Sequence, residues 1–388
     1  MLMGEFLMVD LDDLKEIGEI DKSGILGLCI KTWVLYEEAL SFSYEVELPS
    51  YMESSGGYPH GRELRKVVIA GMGGSAIGGC LLRDMLRDEV GVPVEVVGGY
   101  TLPAYLDEET LVFVVSYSGN TEEALCSFVN AVRKRCLVCT VTSGGQLASF
   151  SKRLNMPFVK VPGGLPPRVA LPYLFTPLPV ILERIGLISS IKEELEESIQ
   201  VLRRLAEELA PEVPLRDNLA KSSAQTIAGT TPVVFGPYYY SSVAYRLKTQ
   251  FNENSKTLSF WGVFPEMNHN EVMGWERTGP LHKLISIILL RDRDEAPYIK
   301  ERIEITKRLV FEKASNVIEL YSSGQSKIAR MLSLVFLGDL ISVYLALVRG
   351  IDPTPVRTIE QMKKELRGKY DLLSKLEAEI RSMEKRRR

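Results

Sequence analysis

Histidine and cysteine are scarce in this 388-residue chain, at three and five residues. His60, His269 and His282 are the only side chains whose ordinary pKa would let them trade protons near pH 7. The cysteines (Cys29, Cys80, Cys126, Cys136, Cys139) include no doubled CxxC pattern, and Cys136-x-x-Cys139 stands alone inside an apolar run. They read as buried thiols of a reducing compartment, not as a zinc or redox site. No His/Cys/carboxylate cluster has the spacing of metal ligands, so no metal is expected. No charge of one sign prevails: 47 Lys+Arg stand against 50 Asp+Glu, for a net charge of −3. That balance speaks against nucleic acid as a partner. The one basic run, Lys385-Arg386-Arg387-Arg388, reads as a solvated helix end. The N-terminus lacks a basic stretch followed by an apolar one, so a cytoplasmic protein is expected. One long apolar stretch exists, from Met331 to Val348, but Asp339 interrupts it beside Gly338. A charge at mid-bilayer is costly, so the stretch is read as a helix buried between layers, with no membrane partner.

Apolar residues make up 45% of the chain and charged residues 25%, the balance of a globular protein long enough for two α/β domains. Residues 10–50 read as helical, with Asp21 or Ser23 capping a helix that carries Ile25, Leu26, Leu28, Ile30, Trp33 and Val34. Ser54-Ser55-Gly56-Gly57-Tyr58-Pro59 reads as a loop. Strand texture then recurs at Val67–Ala70, Val92–Val97, Leu111–Val115 and Cys136–Val141, alternating with helical spacing. Such alternation predicts right-handed βαβ units and a mostly parallel sheet. The proline-rich stretch from Pro157 to Pro179 is expected to be irregular and to cross a functional region. From Glu193 a second α/β series begins, with strands at Pro232–Gly236, Leu258–Val263 and Leu284–Leu290. Beyond Arg349 a proline-marked turn leads into a charged helix. The expected division is an N-terminal helical segment (1–55), two α/β domains (56–192 and 193–350) and a helical tail (351–388).

Two motifs carry the chemistry of the first domain. Gly71-Met72-Gly73-Gly74-Ser75-Ala76-Ile77-Gly78-Gly79 follows a strand and opens a helix. There, unpaired N–H groups and the helix dipole favour an anion, and glycine lets the backbone approach it. The spacing also satisfies G-x-G-x-x-A, and Glu95 stands where a ribose-binding acid would, so by itself the motif suits a dinucleotide at least as well as a phosphosugar. Ser116-Tyr117-Ser118-Gly119-Asn120-Thr121 repeats the strand–turn–helix arrangement on what should be the neighbouring strand. Taken alone, Ser, Asn and Thr at a helix start are N-caps more often than ligands. Several hydroxyls beside two helix N-termini suit one compact phosphate better than an extended pyrophosphate.

Together these motifs resemble the sugar isomerase (SIS) domain. With Pro166-Pro167-Arg168-Val169-Ala170-Leu171-Pro172-Tyr173, Asn252-Glu253-Asn254-Ser255-Lys256 and Glu266-Met267-Asn268-His269-Asn270-Glu271, the chain resembles the bifunctional phosphoglucose/phosphomannose isomerases of archaea and some bacteria, from about Asp21 to Leu366. The resemblance implies two SIS-type doubly wound subdomains, with mostly parallel sheets flanked by helices. It also implies aldose–ketose isomerisation of a hexose 6-phosphate.

Further implications of the resemblance concern individual residues. Glu253 matches the catalytic glutamate and Arg168 the arginine proposed to stabilise an enediolate. His269 matches the ring-opening histidine, contributed across a homodimer interface. Lys363 looks like the C-terminal active-site lysine, with Lys364 beside it. Phosphate-binding roles fall to Gly73, Gly74, Ser75, Ser116, Ser118 and Thr121. Proton transfer through an enediol needs no cofactor. Isomerisation of another sugar phosphate and a non-catalytic phosphosugar sensor are the readings that compete. A sensor of this kind would usually add a helix-turn-helix module, which this sequence does not suggest.

Overall fold

The computed structural model describes residues 8–49, 63–277 and 279–387. The loop expected at Ser54–Pro59, and His60 with it, lie outside the described residues.

The N-terminal stretch is three helices: α1 (Leu14–Ile20), α2 (Ile25–Ile30) and α3 (Thr32–Glu45). Asp21 caps α2, its carboxylate accepting the N–H groups of Ile25 and Leu26 at 2.9 Å each. The first sheet follows, built from β1 (Lys66–Ala70), α4 (Gly74–Leu86), β2 (Val94–Val97), β3 (Thr110–Val115), α5 (Glu122–Arg133), β4 (Leu137–Thr142), α6 (Gly145–Arg153) and β5 (Phe158–Lys160). Its five strands are all parallel in the order β2-β1-β3-β4-β5. Central β3 is buried at every position, as expected of a strand covered on both faces.

The expectation of irregular chain over Pro157–Pro179 holds for residues 161–170 and is corrected on either side of them. The stretch contains β5, the whole of α7 (Leu171–Phe175) and the first three residues of α8 (Pro177–Arg184). Pro172, Pro177 and Pro179 all sit in first turns, where a missing N–H costs nothing.

The second series runs α9 (Lys192–Glu208), α10 (Leu219–Ile227), β6 (Thr231–Pro237), α11 (Ser241–Glu253), β7 (Phe260–Phe264), β8 (Ile285–Arg291), α12 (Pro297–Leu309), β9 (Asn316–Tyr321) and α13 (Lys327–Val348). Its four strands are parallel in the order β7-β6-β8-β9, the first sheet's order with one strand fewer. The tail is two helices, α14 (Arg357–Lys369) and α15 (Leu372–Arg387), where the sequence suggested one. The chain divides into two compact units: Val34–Glu193 with Val356–Arg388 around the first sheet, and Met1–Trp33 with Glu194–Pro355 around the second.

Each unit has its own core. In the first-sheet unit Val112, Val114, Phe128, Phe150 and Leu147 meet Leu376 and Ile380 of α15. In the second-sheet unit Phe235, Phe264, Met267, Ile287, Leu289, Ile303 and Phe311 cluster on one face of the sheet. Helix α13 is long and apolar enough to cross a bilayer, yet 94% of its apolar window is buried inside the protein. It packs on α2, α10 and α11. Gly338 lets α11 come close, since a Cβ there would stand 2.3 Å from the side chain of Leu247. Asp339 beside it accepts a two-pronged bond from Arg246 (Nε–Oδ1 3.0 Å, Nη2–Oδ2 2.6 Å). Burial pushes the Asp339 carboxyl up, and Arg246 pulls it back toward the charged form.

Candidate active site

In the order β2-β1-β3-β4-β5 the chain reverses direction across the sheet between β1 and β3, and ligands of such folds bind at the carboxyl ends of those two strands. Both Ser/Gly motifs lie there. Gly71 turns out of β1, donating its N–H to Val97 at 3.1 Å, and a Cβ on it would stand 3.0 Å from the carbonyl oxygen of Val115 in β3. Gly73 takes φ +54°, a left-handed conformation that glycine adopts without strain, and α4 begins one residue later.

The second turn is joined to the first by a single hydroxyl. Ser75 Oγ accepts the N–H of Tyr117 at 3.1 Å, which leaves its proton available to a ligand. Ser116 is buried and donates to Thr121 Oγ1 at 3.1 Å, so it acts from beneath the surface. Ser118 is exposed and Thr121 half-buried; Ser118 Oγ accepts the N–H of Asn120 at 3.3 Å. Thr121 is the N-cap residue of α5, although its side chain makes no capping bond. The helix N-termini of α4 and α5 thus open beside hydroxyls of Ser75, Ser118 and Thr121, a set of donors suited to one phosphate.

A third loop braces the cradle. Ser143 N–H and hydroxyl both donate to the Tyr117 carbonyl (3.0 and 2.6 Å), and Gln146 N–H donates to Asn120 Oδ1 at 3.1 Å. Tyr117 was not singled out from the sequence as more than part of a motif, yet it is the hub. Its hydroxyl accepts Leu165 N–H at 3.0 Å and so ties down the segment before Pro166. Gly74 permits that segment to approach: a Cβ on it would stand 3.0 Å from the Pro167 carbonyl oxygen and 3.5 Å from Arg168 Cα. Arg168, 4% exposed, therefore lies against the first cradle turn. Lys363 belongs to the same unit, exposed on α14.

The other two acid–base candidates lie in the second-sheet unit. Glu253 is the last residue of α11 and is half-buried. The chain after it is pinned to α13: Asn254 Nδ2 donates to Ser342 Oγ (2.9 Å), Ser255 Oγ to the Ser342 carbonyl (2.7 Å), and Arg349 to the Ser255 carbonyl (2.9 Å). Lys256, with φ +53°, folds its ammonium back onto the carbonyls of Glu253 (2.5 Å), Asn254 (3.3 Å) and Pro353 (2.9 Å). A cation on the last carbonyls of a helix is favourable, and here it fixes the backbone of Glu253 itself. The sequence showed Lys256 only as the end of a motif and Arg349 not at all.

His269 closes the short 3-10 turn Glu266–His269 after β7 and is exposed. Its neighbours hold the turn: Met267 is buried in the core, Asn268 Nδ2 donates to Thr306 Oγ1 at 2.8 Å, and Asn270 Nδ2 to Glu266 Oε1 at 2.9 Å. Among the described residues no group of three or more His, Cys, Asp or Glu side chains could hold a metal ion.

Residues 216–366 match the family described as the bacterial phospho-glucose isomerase C-terminal SIS domain. A bifunctional phosphoglucose/phosphomannose isomerase of Caldicellulosiruptor bescii is 42% identical over 78% of this chain and 90% of its own length. One of Aquifex aeolicus is 36% identical over the same shares of the two chains. A crystal structure of a glucose-6-phosphate isomerase-like protein of Thermus thermophilus matches with a TM-score of 0.58 at 19% identity, over 89% of this chain and 98% of that one, a likeness of fold alone. On these sequence matches, the chain belongs to the bifunctional phosphoglucose/phosphomannose isomerase family.

Proposed function

We propose that this protein interconverts glucose 6-phosphate, and mannose 6-phosphate as well, with fructose 6-phosphate. The observation that carries the reading is the pair of Ser/Gly turns at the ends of β1 and β3, joined through Ser75 and Tyr117, with Arg168 against Gly74. A phosphate held by Ser75, Ser118 and Thr121 and by the open amides of α4 and α5, with Ser116, Gly73 and Gly74 shaping the turns, anchors the sugar through its non-reacting end.

The reaction then moves protons only. His269, supplied across the interface of a homodimer, protonates the ring oxygen as the hemiacetal O–H loses its proton, which opens the ring. Glu253 takes the proton from C2 of the open aldose; the C2–H electron pair forms the enediol double bond, and the charge developing on the oxygens meets the Arg168 guanidinium. The same carboxyl returns the proton to C1 while the O2 proton passes to O1, giving the ketose with no net gain or loss of atoms. Lys363 adds positive charge near the substrate. A base that serves both C2 epimers explains a double specificity for glucose and mannose phosphates. Such an enzyme works in the cytoplasm, where sugar phosphates are held.

The test is a coupled assay of purified protein with each aldose phosphate, in the presence of EDTA. Turnover of both is expected, together with its loss in Glu253→Gln while sugar phosphate binding stays measurable by calorimetry. Undiminished turnover in Glu253→Gln would sink the mechanism.

A further inference from the structure

Helix α15 lies beyond residue 366, where the family match ends, and the reaction as proposed gives it no task. Its sequence alone reads as part of a charged helix with a solvated basic end. In the structure it is docked. Leu372, Leu376, Ile380 and Met383, spaced as one helix face, pack into the core that Leu125, Phe128 and Val129 of α5 share with Leu147 and Phe150 of α6. Ile380 is 0% exposed.

The seat is closed by charge. Arg153, at the end of α6, grips Glu384 with both prongs of its guanidinium (3.0 and 2.9 Å) and Glu377 with a third bond of 2.8 Å. Arg133, at the end of α5, reaches Glu379 at 2.8 Å. Planar two-pronged pairs of this kind are geometrically specific as well as attractive. Glu377 and Glu384 are two turns apart on α15, so a single arginine fixes both the rotation and the height of the helix.

What precedes α15 is the reason this matters. Helix α14 carries Lys363, and every described side chain along it is exposed, so its own burial does not hold it in place. Only Tyr370 and Asp371 join it to α15, and the Asp371 carboxylate accepts the N–H of Ser374. The turn borders a cavity of about 380 Å³ whose walls include Asn120, Glu122, Gln146, Tyr370, Asp371 and Leu376. Asn120 is itself a cradle residue, donating to the Ser118 carbonyl at 3.2 Å.

We propose that α15 is a clasp, closed by Arg153 on Glu377 and Glu384, that positions Lys363 by fixing the end of α14 to the unit that carries the phosphate cradle. The inference rests on the isomerase reading and on the place of Lys363 in it. Arg153 is a positioning residue and touches no substrate.

The experiment is a set of full-length variants compared in kcat, KM and thermal midpoint. Arg153→Glu should lower kcat about tenfold, the scale expected when a reacting group is displaced by a fraction of an ångström, with KM changed less than about twofold. Reversing the partners as well (Arg153→Glu with Glu377→Arg and Glu384→Arg) should restore kcat to within about twofold, which a general loss of stability would not do. In a Lys363→Ala background, Arg153→Glu should lower kcat no further. Ile380→Asp, which breaks the apolar seat, should reproduce the Arg153→Glu defect; if it fails to fold, the charge-reversed set still decides. Wild-type kcat in Arg153→Glu, failure of the reversed set to restore it, or a full additive loss in the Lys363→Ala background would each overturn the clasp. A full-speed Lys363→Ala would remove the lysine's assignment, and the clasp with it; a slow Lys363→Ala beside full-speed clasp variants would overturn the clasp alone.

Discussion

Gly119→Ala is the substitution that tests the phosphate cradle most sharply. Gly119 sits between Ser118 and Asn120 with φ +65°, where an L side chain costs roughly 1–2 kcal/mol. Space is the larger problem. A Cβ there would stand 1.8 Å from the Gly144 carbonyl oxygen, where real Cβ contacts keep to 3.0 Å or more, and 2.8 Å from Thr142 Oγ1. The β3–α5 and β4–α6 turns must therefore separate by roughly 1 Å. That strains the bonds holding them together, Leu147 N–H to the Gly119 carbonyl (2.9 Å) and Gln146 N–H to Asn120 Oδ1 (3.1 Å). Losing one or two of these at about 1 kcal/mol each brings the total to about 2–4 kcal/mol. For a unit of this size that lowers the thermal midpoint by about 5–15 °C. Ser118 and Thr121 move with the turn, and a shift of 1 Å can cost on the order of 100-fold in kcat/KM. Calorimetry and the coupled isomerase assay measure the two effects. Gly18→Ala is the control: it lies in α1 with open space around it, and alanine there should be neutral or slightly stabilising. If Gly119→Ala keeps wild-type melting and wild-type kcat/KM, the close contact between the two turns does not shape the site.

Two further outcomes follow from the second-sheet unit. Lys256→Ala keeps a Cβ at positive φ but removes the ammonium from three carbonyls, Glu253's among them. It should lower kcat about tenfold and leave KM nearly unchanged, and an unaltered kcat would show that the last turn of α11 holds without it. Arg246→Met strands Asp339 in the core and should cost about 3–5 kcal/mol in urea unfolding. Because burial raises the Asp339 carboxyl above its unfolded value, the folded variant takes up a proton. The loss should therefore be smaller at pH 5 than at pH 8. A pH-independent midpoint equal to wild type would refute the pairing, and adding Asp339→Leu should recover most of the loss.

Much of the first-sheet unit was legible in the sequence. Strands β1 and β3 are continuous apolar runs ended by glycine or serine, because a strand buried on both faces carries no polar alternation to confuse the reading. The order of the motifs was enough to place the two Ser/Gly turns at the ends of β1 and β3, which lie side by side. Helix α12 and strand β9 went unseen for the opposite reason. Of α12 only Ile299, Ile303 and Thr306 are buried, a narrow stripe at helical spacing in a charged stretch, and of the edge strand β9 only Leu320, so neither offers much apolar face to read. The prolines of α7 and α8 read as breakers, because first-turn prolines look no different in sequence from any others.

The sequence by itself determined the fold class and the two Ser/Gly turns, since these depend on local spacing and side-chain type. The tertiary structure alone decided how those turns are held: Tyr117 as the hub of three loops, Lys256 and Arg349 behind Glu253, Arg246 answering Asp339. It also decided that a charged tail folds back as α15 onto α5 and α6. These are contacts between residues far apart in the chain, and whether a charge is solvated or paired, or a leucine exposed or buried, depends on which distant surface it meets.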